Sequence, residues 1–167
     1  MAEHYDRITA QQKALIERAA LFFIGSADPG LMAGDGNVGP VNISPKGGVP
    51  LRVISDREVA YLDYPGSGNE TARHAARGGP VTVMICSFEA EDAAIVRLYG
   101  RAAVTPMDKS PLASLLLAKP AAELVSRPRQ VITVQVESTM TSCGYGVPVM
   151  EIVRERKKVD RGRSYKA

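Results

Sequence analysis

Short β-branched apolar runs, cut by glycine, proline and aspartate turns, set the fold class of this chain. Val81 to Phe88 is the strongest of them, apolar on both faces and therefore expected in the middle of a sheet. Leu21–Ser26, Val38–Ser44, Ala94–Val104 and Gln130–Val136 read as further strands. Arg52–Ile54 and Glu58–Asp63 form a hairpin across Ser55-Asp56-Arg57. By alternation, Arg97, Tyr99 and Arg101 share one face of their strand. Helical spacing predicts helices at Thr9–Ala20, opened by a Thr9/Gln12 capping box, and at Asn69–Arg77, stopped by Gly78-Gly79-Pro80. A third is predicted at Asp108–Lys119, with Leu112, Leu115 and Leu116 facing inward. Helices and strands do not alternate as β-α-β. That argues against a doubly wound parallel sheet and for a mainly β (α+β) antiparallel barrel with peripheral helices.

Length and charge narrow the partners. The 167 residues suit one domain, expected over 1–153, followed by a basic and flexible tail at 154–167. That tail holds seven Lys/Arg against Glu155 and Asp160, so the overall +3 hides a slightly acidic body. Nucleic acid is an unexpected partner for such a body, and a membrane equally so, since no apolar run reaches the ~18 residues of a spanning helix. The N-terminus has neither a basic nor an apolar leader segment, so a cytoplasmic protein is expected. Cys86, Cys143, His4 and His74 make no metal-ligand spacing, and no metal is expected.

Two loops carry the components of a phosphate cradle. In Asn42-Ile43-Ser44-Pro45-Lys46-Gly47, Asn42 and Ser44 share a strand face, Pro45 fixes the backbone, Lys46 supplies a compact cation, and Gly47-Gly48 permits close approach. A polar hairpin end with a solvent-facing lysine fits the same residues. In Gly66-Ser67-Gly68-Asn69-Glu70-Thr71, glycines precede a helix start whose backbone N–H groups favour an anion, with the Ser67 and Thr71 hydroxyls as further donors. Plain N-capping by Ser67 or Asn69 is the alternative. Neither loop is a Walker loop or a dinucleotide fingerprint. No nucleophile–base pair and no acid/base carboxylate pair is evident, so no catalytic residue is assigned; a bound cofactor is expected to bring the chemistry.

In order along the chain, Phe22-Phe23-Ile24-Gly25, Val41 to Gly47, Ala60-Tyr61-Leu62-Asp63, Gly66 to Thr71, Val83 to Phe88, Arg97-Leu98-Tyr99-Gly100-Arg101 and Ser142 to Pro148 resemble the pyridoxamine 5'-phosphate oxidase-related family. The match runs from about residue 20 to about 153. The resemblance implies a six-stranded antiparallel split β-barrel that forms a homodimer, with FMN between protomers and an oxidoreductase activity on a small-molecule substrate. It implies phosphate contacts from Lys46 and from Ser67, Gly68, Asn69, Glu70 and Thr71, with Arg52 as a weaker candidate. It also implies that the backbone of Leu62 and Asp63 lies along the isoalloxazine and that Tyr145 borders the substrate side. A nicotinamide nucleotide is one candidate electron donor. A non-catalytic flavin- or haem-binding sensing module, and a deazaflavin-dependent reductase, stay open on the same fold. The chain departs from the oxidase proper: Asn69-Glu70-Thr71 stands where that enzyme has a second basic pair, and residues 154–167 carry no histidine for its Arg-x-His substrate motif.

Overall fold

The computed structural model describes residues 2–32, 39–66, 69–118 and 127–155. Within them one antiparallel sheet of eight strands organises the chain. The strands are β1 (Glu3–Tyr5), β2 (Leu21–Ala27), β3 (Val41–Gly47), β4 (Arg52–Ser55), β5 (Glu58–Asp63), β6 (Pro80–Cys86), β7 (Ala94–Pro106) and β8 (Gln130–Cys143). Their order is β3-β2-β6-β7-β8-β5-β4, with β1 added beside β8. The path ends at β3 and β4 without a ladder joining them, which leaves the barrel split rather than closed.

Alternation explains which face each strand buries. Phe22, Ile24 and Ser26 of β2 point inward, as do Val81, Val83 and Ile85 of β6 and Val96 and Leu98 of β7. β5 is buried from Val59 to Asp63, and Tyr61 meets Phe22 edge-on with centroids 5.2 Å apart. These residues, with Val131, Ile132, Val134 and Val136 of β8, form one contiguous core.

The long pair β7 and β8 bends at a bulge between Tyr99 and Gly100. A Cβ on Gly100 would lie 1.9 Å from the Gln135 carbonyl oxygen, so only glycine lets the two strands cross there. The helices pack outside the sheet. α1 (Ala10–Arg18) has the expected capping box, and the same Gln12 reaches β8 through Thr141 Oγ1 at 3.0 Å and Thr139 Oγ1 at 3.0 Å. Among the described residues no helix is long and apolar enough to cross a membrane.

Several boundaries differ from expectation. Ser44-Pro45-Lys46-Gly47 is the end of β3 rather than a turn; β3 is an edge strand, where the missing N–H of Pro45 breaks no ladder. β8 runs seven residues past Val136, because β7 keeps pairing with it as far as Cys143 and Glu3–Tyr5 pair with Thr139 to Thr141 on its other side. The expected helix at Asp108–Lys119 shortens to α3 (Ala113–Leu117), since Pro111 and an Ser110 side-chain turn onto the Leu112 N–H hold the preceding residues out of it. Leu112 and Leu116 face the core four residues apart, whereas Leu115 is 56% exposed. Val38, Lys119 and the tail from residue 156 fall outside the described residues. Replacing Gly100 by alanine is expected to cost about 2–4 kcal/mol, or to abolish folding, as read from urea unfolding.

Candidate functional site

The curl of the sheet brings β3 against the end of β5, five places along in the strand order. Between them lies a polar cleft of about 340 Å³, closed by the start of α2 (Glu70–Ala76) and the start of β8. Each wall follows from local sequence. On β3, alternation turns Asn42, Ser44 and Lys46 inward while Val41 and Ile43 face outward. Asn42 Nδ2 donates to Ser44 Oγ at 3.0 Å and to Thr71 Oγ1 at 3.3 Å, linking β3 to α2.

α2 is fixed from behind. Gly78, at φ +77°, ends it, and a Cβ on Gly79 would sit 2.0 Å from the Ala27 carbonyl oxygen, so the turn packs directly on β2. Buried His74 spans 2.9 Å from Nδ1 to Ser26 Oγ and 3.0 Å from Nε2 to the Gly39 carbonyl. A carbonyl can only accept, so Nε2 donates to Gly39.

Asp63 lies at the centre of the cleft wall with a side chain 3% exposed. Lys46 Nζ donates to its Oδ1 at 3.1 Å. Its Oδ2 accepts from Arg129 Nε at 2.9 Å and from Gln130 Nε2 at 2.8 Å. Gln130 Nε2 also donates to Asn69 Oδ1 at 3.1 Å, and the Arg129 backbone N–H donates to the Asp63 carbonyl at 3.0 Å. The end of β3 and the start of β8 therefore meet on one carboxylate of β5, and Gln130 links it to the start of α2. Burial pushes that carboxyl up, but the charge of Lys46 and the hydrogen bonds from Gln130, Arg129 and Lys46 outweigh it and hold it below its ordinary range. Lys46 also stands 5.8 Å from the Tyr61 ring centroid. Burial first, and then the Asp63 charge, raise the Tyr61 phenol, which stays neutral.

The expected residues divide as follows. Asn42, Ser44, Lys46, Asp63, Asn69, Glu70 and Thr71 line one cleft. Asn69 opens α2 without a side-chain capping bond, because its oxygen is taken by Gln130. Gly47 ends β3 beside Leu21, and Leu62 is buried in the core. Arg52 pairs with Ala60 on β4, outside the cleft lining, and Tyr145 is 88% exposed, also outside it. Ser67 and Gly68 lie outside the described residues. Arg129, Gln130 and Tyr64 were not foreseen. Gln130 opens a predicted strand, 61 residues from Asn69, and Arg129 precedes it, 66 residues from Asp63; nothing local marks them. Among the described residues no three His, Cys, Asp or Glu side chains converge as a metal site.

The donor set fits a phosphorylated ligand in kind: two cations, an amide and two hydroxyls converge, and the buried Tyr64 hydroxyl beside them has no hydrogen-bond partner among the described residues. The lowered Asp63 carboxyl has a further consequence. A group depressed in the folded state stabilises it above the unfolded value, near pH ~4, and that contribution is lost as pH falls through the lower folded value. Thermal melts across the acid range should show wild type losing stability more steeply than Asp63→Asn, which has no such group.

No protein-family model matches the chain. A curated relative from Aspergillus flavus, the pyridoxamine 5'-phosphate oxidase family protein ustO, is 32% identical over 151 residues, covering 89% of this chain. The chain spans little more than half of that relative, 57% of its length. Among solved structures, a candidate pyridoxamine 5'-phosphate oxidase from Lactobacillus delbrueckii superposes with a TM-score of 0.58 at 18% identity, over 81% of this chain and 94% of that one. An FMN-binding protein from Syntrophomonas wolfei superposes with a TM-score of 0.55 at 10% identity, over 77% and 82% of the two chains. At such identities the structures speak to the fold alone, and it is the same open antiparallel sheet. In sequence this chain is a homologue of a pyridoxamine 5'-phosphate oxidase family protein, and in fold it matches split β-barrels of that kind.

Proposed function

We propose that this protein binds a flavin, FMN in the first instance, and serves as a flavin-dependent oxidoreductase. The observation that carries the reading is the convergence of Lys46 and Arg129 with Asn42, Ser44 and Thr71 in one polar cleft. Apart from Arg129, those donors come from the two segments that the family resemblance assigns to the FMN phosphate. Lys46 and the Thr71 hydroxyl would hold the phosphate, with Ser44 and Asn42 orienting it. When bound, the flavin would supply hydride chemistry. Every group that the described cleft contributes either binds or orients, and its one buried carboxylate is fully engaged by Lys46, Arg129 and Gln130.

The cleft is open along β3, and a second copy of the chain is the proposed cover. The outer face of β3, β2 and β6 carries an apolar groove in which Val41 is 59% and Ile43 71% exposed, beside Phe23 and Met84. Two such faces would bury each other in a homodimer and wall the flavin on its open side.

Purified protein should be yellow or should take up added FMN. Lys46→Ala should weaken that uptake by about ten-fold or more, the usual effect of losing a charge-assisted hydrogen bond, while keeping cooperative unfolding. Protein that stays colourless in excess FMN sinks the flavin reading, and reduction of the bound flavin by NADH or NADPH separates an oxidoreductase from a storage module. Sedimentation should give a dimer for wild type and a monomer for Ile43→Glu; a wild-type monomer removes the second copy from the site.

A further inference from the structure

We infer that Asp63 is a positioning residue of the cleft: it holds Lys46 and Arg129, and through Gln130 the Asn69 side chain, in the arrangement that receives an anion. This rests on the flavin reading above and assigns the residue that makes that site ready to bind.

Simple charge bookkeeping points the other way. Asp63 and Glu70 together offset Lys46 and Arg129, so among the described residues the four ionised side chains lining the cleft carry no net charge. On that count alone, deleting the Asp63 charge should strengthen anion binding. Geometry argues against it. Lys46 comes from β3 and Arg129 from the residue before β8, and those strands have no ladder between them. Both side chains are long and rich in rotamers, and both remain partly open to water, 24% and 28% exposed. Without the Asp63 carboxylate, Lys46 in particular would spread into solvent and have to be ordered again at each binding event.

Asp63 gathers them with its two oxygens divided, Oδ1 to Lys46 and Oδ2 to Arg129 and Gln130. An ammonium has three N–H donors, and this bond uses one of them. The two hydrogens of the Gln130 amide divide in turn between Asp63 and Asn69, which extends the hold to the residue that opens α2. A buried carboxylate that fixes cations for a ligand acts through them, and its removal loosens the site even though a negative charge is gone.

The test compares wild type with the near-isosteric Asp63→Asn. FMN affinity is read by quenching of flavin fluorescence, inorganic phosphate by line broadening in phosphorus NMR, and the Arg129 Nε–H by its exchange protection in nitrogen-edited NMR. The expected result is about ten-fold weaker binding of both FMN and phosphate, from the freedom restored to the Lys46 side chain, with reduced protection of the Arg129 Nε–H that donates to Asp63. Equal or tighter binding by Asp63→Asn overturns the proposal. If wild type takes phosphate and refuses FMN, the flavin reading falls and the phosphate comparison still decides the role of Asp63; if it takes neither, both fall. Should Asp63→Asn fail to fold, Gln130→Ala severs the Asn69 link and leaves both cations on Asp63. It is expected to weaken phosphate binding about three-fold, and unchanged affinity overturns the proposal.

Discussion

The curl of one antiparallel sheet is the constraint on which the rest depends. β7 and β8 are long enough to belong to both halves of the structure, pairing with β6 on one side and with β5 and β1 on the other. The bulge at Gly100 lets that pair bend without separating. The bend carries β3 round until its inner face meets the end of β5, and no backbone ladder joins them. Side chains make the junction instead, and the ion pair of Lys46 with Asp63 is its centre. The split in the barrel is therefore the cleft.

That arrangement has an energetic logic. An ion pair with one partner 3% exposed costs desolvation, and a single bond would not offset it. Asp63 accepts from Lys46, Arg129 and Gln130 together, which satisfies its lone pairs and keeps it ionised. The polar groups on the cleft wall are thereby fixed to a core that is otherwise apolar. A site assembled this way varies its ligand through the few side chains on the wall while the sheet behind stays the same.

Much of the fold was legible because its signals are local. The capping box of α1 is spelled by Thr9 and Gln12, and the shared face of Asn42 and Ser44 follows from a period of two along β3. Where other forces intervene, the reading slipped. Ser44-Pro45-Lys46-Gly47 looks like a turn, yet an edge strand accommodates the proline. The leucines of α3 look like an inward face, yet Pro111 and Ser110 shorten the helix and leave Leu115 outside. Asn69 looks like a cap, yet Gln130 claims its oxygen.

The sequence by itself determined that the chain would build antiparallel strands with helices outside, and that Asn42, Ser44, Lys46, Asn69 and Thr71 would present donors at strand and helix ends. Periodicity and turn chemistry act over a few residues, and those assignments need nothing more. Only the tertiary structure decided that the two loops face one cleft, that Arg129 and Gln130 join it, and that Asp63 binds them all while Arg52 and Tyr145 stay outside its lining. The physical reason is distance along the chain. Asp63 and Arg129 are 66 residues apart and meet because the sheet curls, a property of all its strands together that no short stretch records.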